Sequence, residues 1–279
     1  MLKTLSLIIF TSFLGLSQLS ASEGVVNAVD YQKNSTLQWK WAMDSLESFL
    51  FDKCDKVLDI GCRNGSVTQE VAARVPSGLV IGLDISESMI TYATEHSQAF
   101  NIIYMQGDPR TLPFIDQFDK AIALLTFNWI KEQESVLNSL YAALKPNGKA
   151  IITRPGKQPS NLGPVAAELI KTEFWAPYFT NFEPKKHYVT AEEYTLLLEN
   201  AGFIIEKISQ DSTYTYFKNK DALAGFFRPI CNFIDHLTPA LKEQFIEDVV
   251  EKVLESNKML PDGSILLHDL KLEVIVSKP

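Results

Sequence analysis

The chain has 279 residues, of which 46% are hydrophobic and 22% are charged. This apolar content is typical of a globular protein with a buried core, which excludes a mainly disordered chain. Lys and Arg number 26 against 34 Asp and Glu, so the net charge is -8. Because a nucleic-acid-binding surface needs the opposite sign, we expect a small-molecule substrate and no nucleic-acid partner.

Residues 1–22 have the layout of a secretory signal peptide. Lys3 is their single charge, the apolar run LSLIIFTSFLGL follows at 5–16, and small polar residues lead to Ser22. The run is shorter than the ~20 apolar residues that span a membrane, and no other segment is long and apolar enough, so no stable membrane span is expected. We therefore expect export to the periplasm or the exterior. The alternative is a cytoplasmic protein that keeps this segment.

The sequence has three cysteines, Cys54, Cys62 and Cys231, which is an odd number, and their spacing is not that of metal ligands. A disulfide framework is therefore not expected. The four histidines are scattered, and no metal site is predicted. The sequence does not indicate an oligomeric state.

The first helix is predicted between residues 35 and 50, with Trp39, Met43, Leu46 and Leu50 on a core-facing stripe. From residue 56 onward, buried strands alternate with helices. Strands are predicted at 56–61, 79–85, 101–106, 118–127, 149–153, 203–210 and 272–277, and helices at 66–75, 86–97, 132–144, 190–201, 221–227 and 239–256. The early strands are continuously apolar, which predicts an α/β fold with a parallel sheet between two helical layers.

The turns after the predicted strands hold the candidate binding residues, because ligands of such sheets bind at the carboxyl ends of the strands. Asp59, Asp84 and Asp108 stand at three successive strand ends. Asp84 has the spacing of an acid that binds ribose hydroxyls. The first turn is D-x-G-x-x-x-G, without the G-x-G-x-x-G that lets backbone approach a pyrophosphate. An adenosyl ligand with a positive centre and no phosphate fits these features, whereas each acid taken alone is equally explained as a helix cap or a turn.

Five segments in this order, VLDIGCRNG, GLDISESMI, QGDPRTLPF, FDKAIALLTFNWI and LKPNGKAII, resemble the motifs of class I S-adenosylmethionine-dependent methyltransferases. The tail through LPDGSILLHDLKLEVIVSKP is similar, more loosely, to small-molecule carboxylate methyltransferases of the trans-aconitate and juvenile-hormone-acid kind. The resemblance implies a Rossmann-like, seven-stranded, mostly parallel sheet with helices on both faces and a final antiparallel strand, 272–277, beside 203–210. The methyltransferase domain would cover 23–279, with cap segments inserted near 155–189 and 211–262.

The resemblance also implies S-adenosyl-L-methionine as the cofactor. Around the methionine moiety and the ribose, the implied binding residues are Asp59, Gly61, Cys62, Gly65 and Asp84, the last at the ribose. Ile85 and Met89 would flank the adenine, and Asp108, within the turn Gly107–Pro109, would bind its amino group. Thr126 and Phe127 would line the methyl-transfer end, with Tyr31 and Gln38 as a cover on the substrate side. The chain departs from the family at Arg63, where glycine is usual. If that position has positive φ, arginine costs roughly 1 kcal/mol or more.

On the acceptor side we expect Trp129, Arg154 and Tyr188, with Arg154 as the candidate for binding a carboxylate. The run 185–187 is interpreted as a solvated turn. A carboxylate is already ionised at neutral pH, and no motif demands a catalytic base, so the leading hypothesis is methylation of a carboxylate to an O-methyl ester. The alternatives are C- or N-methylation of an aromatic or lipid-like acceptor, and a non-catalytic protein that binds S-adenosylmethionine.

Overall fold

The computed structural model describes residues 36–158 and 161–279. The predicted signal peptide and Tyr31 lie outside the described residues. The helices are α1 (Thr36–Ser48), α2 (Ser66–Arg74), α3 (Glu87–His96), α4 (Gln133–Ala143), α5 (Leu162–Leu169), α6 (Ala191–Asn200), α7 (Lys220–Phe227) and α8 (Pro239–Leu254). The strands are β1 (Lys56–Ile60), β2 (Leu79–Asp84), β3 (Ile102–Gln106), β4 (Phe118–Leu124), β5 (Leu144–Pro155), β6 (Ile204–Phe217), β7 (Lys258–Met259) and β8 (Ile265–Ser277).

The strands form one mixed sheet in the order β3-β2-β1-β4-β5-β8-β6, with the short β7 paired to β8. Strands β1 to β5 pair in parallel, and β8 runs antiparallel to both β5 and β6. The predicted fold is confirmed. The strand order reverses between β1 and β4, which makes their carboxyl ends the expected place for a ligand.

The sheet is buried on both faces, as the continuously apolar strands require. Leu58, Ile60 and Leu83 pack with α4 and α6 on one face. Val57 and Val80 pack with α1 and α2 on the other. Each strand therefore contributes apolar side chains to two cores, which fixes the direction and position of its carboxyl end.

Strands β6 and β8 extend well beyond the predicted 203–210 and 272–277, and their extensions carry a separate helical layer. This layer, which we call the cap, contains α5, α7, α8 and residues 176–179 and has its own apolar core. The Trp175 indole donates a hydrogen bond of 2.9 Å to Asp248 Oδ2, which ties the two inserted segments together. In the described part of the chain, no helix has both the length and the apolarity to cross a membrane.

The buried face of α1 differs from the predicted stripe. Trp39 and Leu50 are exposed, whereas Trp41, Ala42 and Ser45 are buried. The Ser45 hydroxyl donates a hydrogen bond of 2.7 Å to Glu273 on β8. A polar contact of this kind turns the helix toward a face that an apolar pattern does not indicate.

Candidate functional site

The loop after β1 is built from residues with left-handed backbone conformation. Gly61 and Gly65 have φ of +78° and +79°, and Arg63 between them has φ of +51°. The strain expected for Arg63 is therefore present in the fold. A Cβ on Gly61 would lie 2.2 Å from Thr126 Oγ1, so the loop passes directly under the residue that follows β4. The loop leaves space only for glycine at this crossing.

Asp59 points inward at the end of β1, where its carboxylate accepts a 2.7 Å hydrogen bond from Thr68 Oγ1. Burial raises its pKa to about 7, against the opposing effects of the Thr68 hydrogen bond and of Arg63. Nearby Asp84 raises it further. A cation that binds beside such an acid stabilises the ionised carboxylate and lowers its pKa. The site therefore favours a positively charged ligand. Cys62 beside Asp59 is buried, and burial raises the pKa of its thiol, so the thiol is neutral.

Asp84, at the end of β2, joins two neighbouring loops. Its Oδ2 accepts the backbone N–H of Arg63 at 3.0 Å, and its Oδ1 accepts that of Ser86 at 2.9 Å. Burial raises its pKa in spite of these hydrogen bonds. Each carboxylate oxygen has capacity for further donors, such as hydroxyl groups of a ligand.

The adenine-side residues differ in exposure. Ile85 is 47% exposed, whereas Met89 and Pro109 are buried. The backbone N–H of Gly107 donates to the carbonyl of Asp84 at 3.0 Å, which holds the ends of β2 and β3 together. Asp108 is held by Arg110, whose Nη2 lies 2.7 Å from Oδ2, and this partner lowers the pKa of Asp108. Asp108 is therefore an anion that remains partly exposed at the edge of the cleft.

The end of β4 forms the other wall. Phe127 is fully buried in the short helix Phe127–Trp129, which begins after Thr126. The guanidinium of Arg63 donates a hydrogen bond to the carbonyl of Leu125, so its side chain spans from the β1 loop to the end of β4. The family-unusual arginine thus lies between the two walls of the cleft.

Arg154 does not face this space. It is fully buried, donates through Nη1 to Gln133 Oε1 at 2.7 Å and through Nη2 to the carbonyl of His187, and stacks over the ring of Tyr194. The prediction that Arg154 receives a substrate carboxylate is not supported by this placement. The sequence around the end of β5 does not indicate that Arg154 turns inward and holds the segment that contains His187.

The run 185–187 is not simply a solvated turn. The backbone N–H of His187 donates to the carbonyl of Asn128 at 2.8 Å, and Lys186 Nζ lies 4.5 Å from the centroid of the Trp129 ring. Lys186 keeps part of its surface accessible, yet burial lowers the pKa of its ammonium to about 8. Burial also raises the pKa of the neighbouring Tyr188 hydroxyl. Both side chains are therefore partly enclosed and not on the open surface.

Comparison with known proteins agrees with this geometry. A family described as "Methyltransferase domain" matches residues 57–148, the segment from β1 into the β5 strand. The chain is 28% identical over 251 residues to juvenile hormone acid O-methyltransferase of Bombyx mori, covering 82% of this chain and 86% of that protein.

Residues 57–148 form a methyltransferase domain, and the matches indicate an S-adenosylmethionine-dependent methyltransferase. The solved structure of the YcgJ protein from Bacillus subtilis superposes with a TM-score of 0.62 at 15% identity, covering 86% of this chain and 97% of that one. Phosphoethanolamine N-methyltransferase 2 of Haemonchus contortus, solved with S-adenosyl-L-methionine, gives 0.59 at 18% identity, covering 90% and 56%. At such identities these two structures support the fold of the methyltransferase.

Most of the residues predicted to bind the cofactor surround one cleft of the methyltransferase, between the ends of β1, β2, β3 and β4. Gln38 lies on α1, and its Oε1 is buried without a hydrogen-bond partner among the described residues. Sequence reasoning missed Thr68, which holds Asp59, and Lys186. Thr68 lies nine residues beyond Asp59 and belongs to α2, so a strand-helix unit could have suggested it. No local signal marks Lys186.

Proposed function

We propose that the protein transfers a methyl group from S-adenosylmethionine to the carboxylate of a small organic acid, forming an O-methyl ester. The observation that carries this proposal is the length of the similarity to juvenile hormone acid O-methyltransferase. It spans 82% of the chain and so extends past the methyltransferase domain into the cap. In this proposal the cap, which the extensions of β6 and β8 carry, selects the substrate.

The residues of the cleft fit the cofactor. In the proposed arrangement, Asp59, Gly61, Cys62 and Gly65 lie around the methionine moiety, Asp84 binds the ribose, and Ile85 and Met89 flank the adenine. Gly61 and Gly65 let the loop after β1 pass close to Thr126 and Tyr104, and Asp59 and Asp84 favour a positively charged ligand. Asp108 accepts the adenine amino group at the partly exposed edge, with Gly107 and Pro109 beside it. Thr126 and Phe127 wall the transfer end, and Tyr31 and Gln38 cover it.

The chain has to align two reactants and exclude water. The cofactor supplies a methyl group activated by the positive sulfur, and the sulfur keeps the electron pair of the broken bond. A lone pair of the acceptor carboxylate forms the new O–C bond. The acceptor carboxylic acid has a pKa of ~4 and is already ionised at neutral pH, so the transfer needs no base to remove a proton. Alignment by the strand ends and shielding by the cap are then sufficient for the transfer.

The experiment is transfer of a tritiated methyl group from S-adenosylmethionine to a panel of carboxylic acids, together with amines and phenols of similar size. We expect labelled product with acids and none with Asp84→Ala. Label only on amines or carbon acceptors would favour the C- or N-methylation alternative, and label only on phenols would contradict methylation of a carboxylate. Binding of S-adenosylhomocysteine without transfer to any compound would favour the non-catalytic alternative.

We also propose that residues 1–22 direct export and are removed before Glu23. This proposal rests on the charge and hydropathy layout of the segment. Amino-terminal sequencing of protein recovered from the natural host tests it, with Glu23 expected as the first residue. A mature chain that begins at Met1 would support the cytoplasmic alternative.

A further inference from the structure

Lys186 lies at the acceptor end of the cleft. The segment that carries it runs from residues 176–179 of the cap to α6 and is anchored to the end of β4 by the hydrogen bond between His187 and Asn128. This anchor holds the ammonium 4.5 Å from the centroid of the Trp129 ring. Trp129 belongs to the same short helix as Phe127, two residues further on, so Lys186 lies beside the wall that carries the proposed methyl-transfer end.

The ammonium is desolvated and has a second cation as a neighbour. Besides burial, Cys231, Arg63 and Asp269 act electrostatically on Lys186, with Arg63 opposing its charge and Asp269 favouring it. Within residues 36–158 and 161–279, no carboxylate lies within 4 Å of Lys186. Its sequence neighbour Lys185 is half-exposed and lies 3.9 Å from Asp235. An anionic ligand that binds between these two desolvated cations is stabilised by its attraction to both of them.

Among the described residues, two buried polar side chains have unpaired atoms and are linked to the surroundings of Lys186: Asp269 acts on Lys186 electrostatically, and Asn232 follows Cys231, which does the same. Asn232, next to Cys231, is buried, and neither atom of its amide has a hydrogen-bond partner in the described part of the chain. Asp269 uses Oδ1 to accept from Asn161, and its Oδ2 is buried without such a partner. Buried polar groups of folded proteins are nearly always hydrogen-bonded, and the Asn232 amide is suited to donate to a ligand carboxylate, whereas an ionised Asp269 only accepts.

We propose that Lys186, seated against Trp129 and facing Arg63, binds the carboxylate of the acceptor. This inference rests on the proposed function and deepens it by assigning the cation that recognises the substrate class. The pair of an ammonium and a carboxylate in a desolvated site is charge-assisted and strong. It also orients the carboxylate, because the Trp129 ring limits the side from which Lys186 donates. In this proposal Lys186, and not the buried Arg154, binds the acceptor carboxylate.

The test measures binding and not turnover, using octanoate and its neutral isostere octanamide. Each compound is titrated calorimetrically into the complex with S-adenosylhomocysteine, for wild type, Lys186→Met and Lys185→Met. We expect Lys186→Met to weaken octanoate binding at least tenfold and to leave octanamide binding within twofold. Lys185→Met, the matched control, keeps both affinities. Lys186→Arg retains the charge and is expected to restore part of the preference for octanoate.

The inference is overturned if Lys186→Met binds octanoate as tightly as wild type does, if it loses octanoate and octanamide equally, or if octanoate fails to bind the wild-type complex. Unfolding is monitored separately, because Lys186→Met removes a desolvated charge and is expected to keep the melting temperature. Failure of the proposed function has a different signature. In that case octanoate binds through Lys186, but labelled methyl appears on no carboxylic acid.

Discussion

The backbone N–H of Arg63 donates a 3.0 Å hydrogen bond to Oδ2 of Asp84, which joins the loop after β1 to the end of β2. The same carboxylate also holds the backbone N–H of Ser86. Asp84 therefore shapes the first loop as well as offering oxygens to a ligand. We therefore expect substitution of Asp84 to change both the shape of the cleft and its affinity for a ligand.

Asp84→Ala removes the bonds to Arg63 and Ser86 and the proposed ribose contact. We expect its affinity for S-adenosylhomocysteine to fall between about tenfold and a hundredfold, since hydrogen bonds to a charged group contribute about 1.5–3 kcal/mol. Calorimetric titration measures the change. Asp44→Ala is the control, because Asp44 pairs with Lys40 on the exposed side of α1. Equal affinity of Asp84→Ala and wild type would remove Asp84 from the cofactor site.

Gly61→Ala combines a steric clash with backbone strain. The added Cβ would stand 2.2 Å from Thr126 Oγ1 at a φ of +78°, so we expect a loss of stability above the ~1–2 kcal/mol that strain alone costs. Two glycines separate these causes. Gly263 has φ of +82° and open space, so alanine there is expected to show the strain alone. Gly225 on α7 has open space and no positive φ, and alanine there is expected to stabilise by about 0.5–1 kcal/mol.

Urea unfolding of the three variants measures their ranking. The expected order of stability is Gly225→Ala above wild type, then Gly263→Ala, then Gly61→Ala. A Gly61→Ala variant as stable as Gly263→Ala would show that Thr126 moves aside at no cost, and that the close crossing of the two loops does not shape the site.

Cofactor affinity is expected to depend on the charge of Asp59. Its pKa of about 7 means that the carboxyl gains a proton as the pH falls below 7, while a cationic ligand favours the ionised form. The groups that act on it are Thr68, Arg63 and Asp84. Affinity for S-adenosylmethionine should therefore fall by up to about tenfold between pH 8 and pH 6. Titrations across this range test the slope, and Asp59→Asn is expected to flatten it. A wild-type affinity independent of pH would contradict the placement of the methionine moiety beside Asp59.

Glu273 on β8 is the centre of a buried ionic cluster. Lys207 and Lys271 lie 2.8 and 2.9 Å from its carboxylate, and Ser45 donates at 2.7 Å. Burial opposes ionisation, but these hydrogen bonds together lower the pKa of Glu273 to about 2. Glu273→Gln leaves Lys271 buried without its anion, and we expect a loss of about 3–5 kcal/mol at pH 7.

Because the folded pKa is below that of the unfolded chain, this stabilisation is complete above pH ~4.5 and is lost as the pH falls toward 2. Denaturant unfolding at pH 7 and pH 3 measures it, with a smaller difference between wild type and Glu273→Gln at the lower pH. Glu206→Gln is the control. Its pair with Lys149 is part-exposed and is expected to contribute under about 1 kcal/mol. Equal effects of the two substitutions would contradict the assignment of Glu273 as a buried ionic centre.

The parallel half of the sheet was predictable because β1, β2 and β4 are continuously apolar, and the acids that follow them mark the carboxyl ends. The extensions of β6 and β8 were not predictable, because their side chains alternate between a buried face and an exposed face. Ile265 and Leu267 are buried under the cap while Tyr214 and Tyr216 are exposed. Such short alternating stretches do not show which partner covers them.

The position of charged side chains was the least predictable feature of the site. Arg154 was predicted to bind a substrate carboxylate and Lys186 to lie in a solvated turn, and the structure supports neither placement. Arg154 turns under Tyr194 to hold His187, and Lys186 turns from a polar run into the enclosed space beside Trp129. Both orientations depend on contacts between segments distant in sequence, which local patterns cannot encode.

The most direct test of the proposed reaction is the stability of the transferred label to alkali. The protein is incubated with methyl-tritiated S-adenosylmethionine and a carboxylic acid that it converts, and the isolated product is treated with dilute base. A methyl ester is cleaved by base, so the account predicts that the label is released quantitatively as volatile methanol. Label that remains on the product after this treatment would be bound to carbon, to nitrogen or to an ether oxygen and would contradict carboxylate methylation.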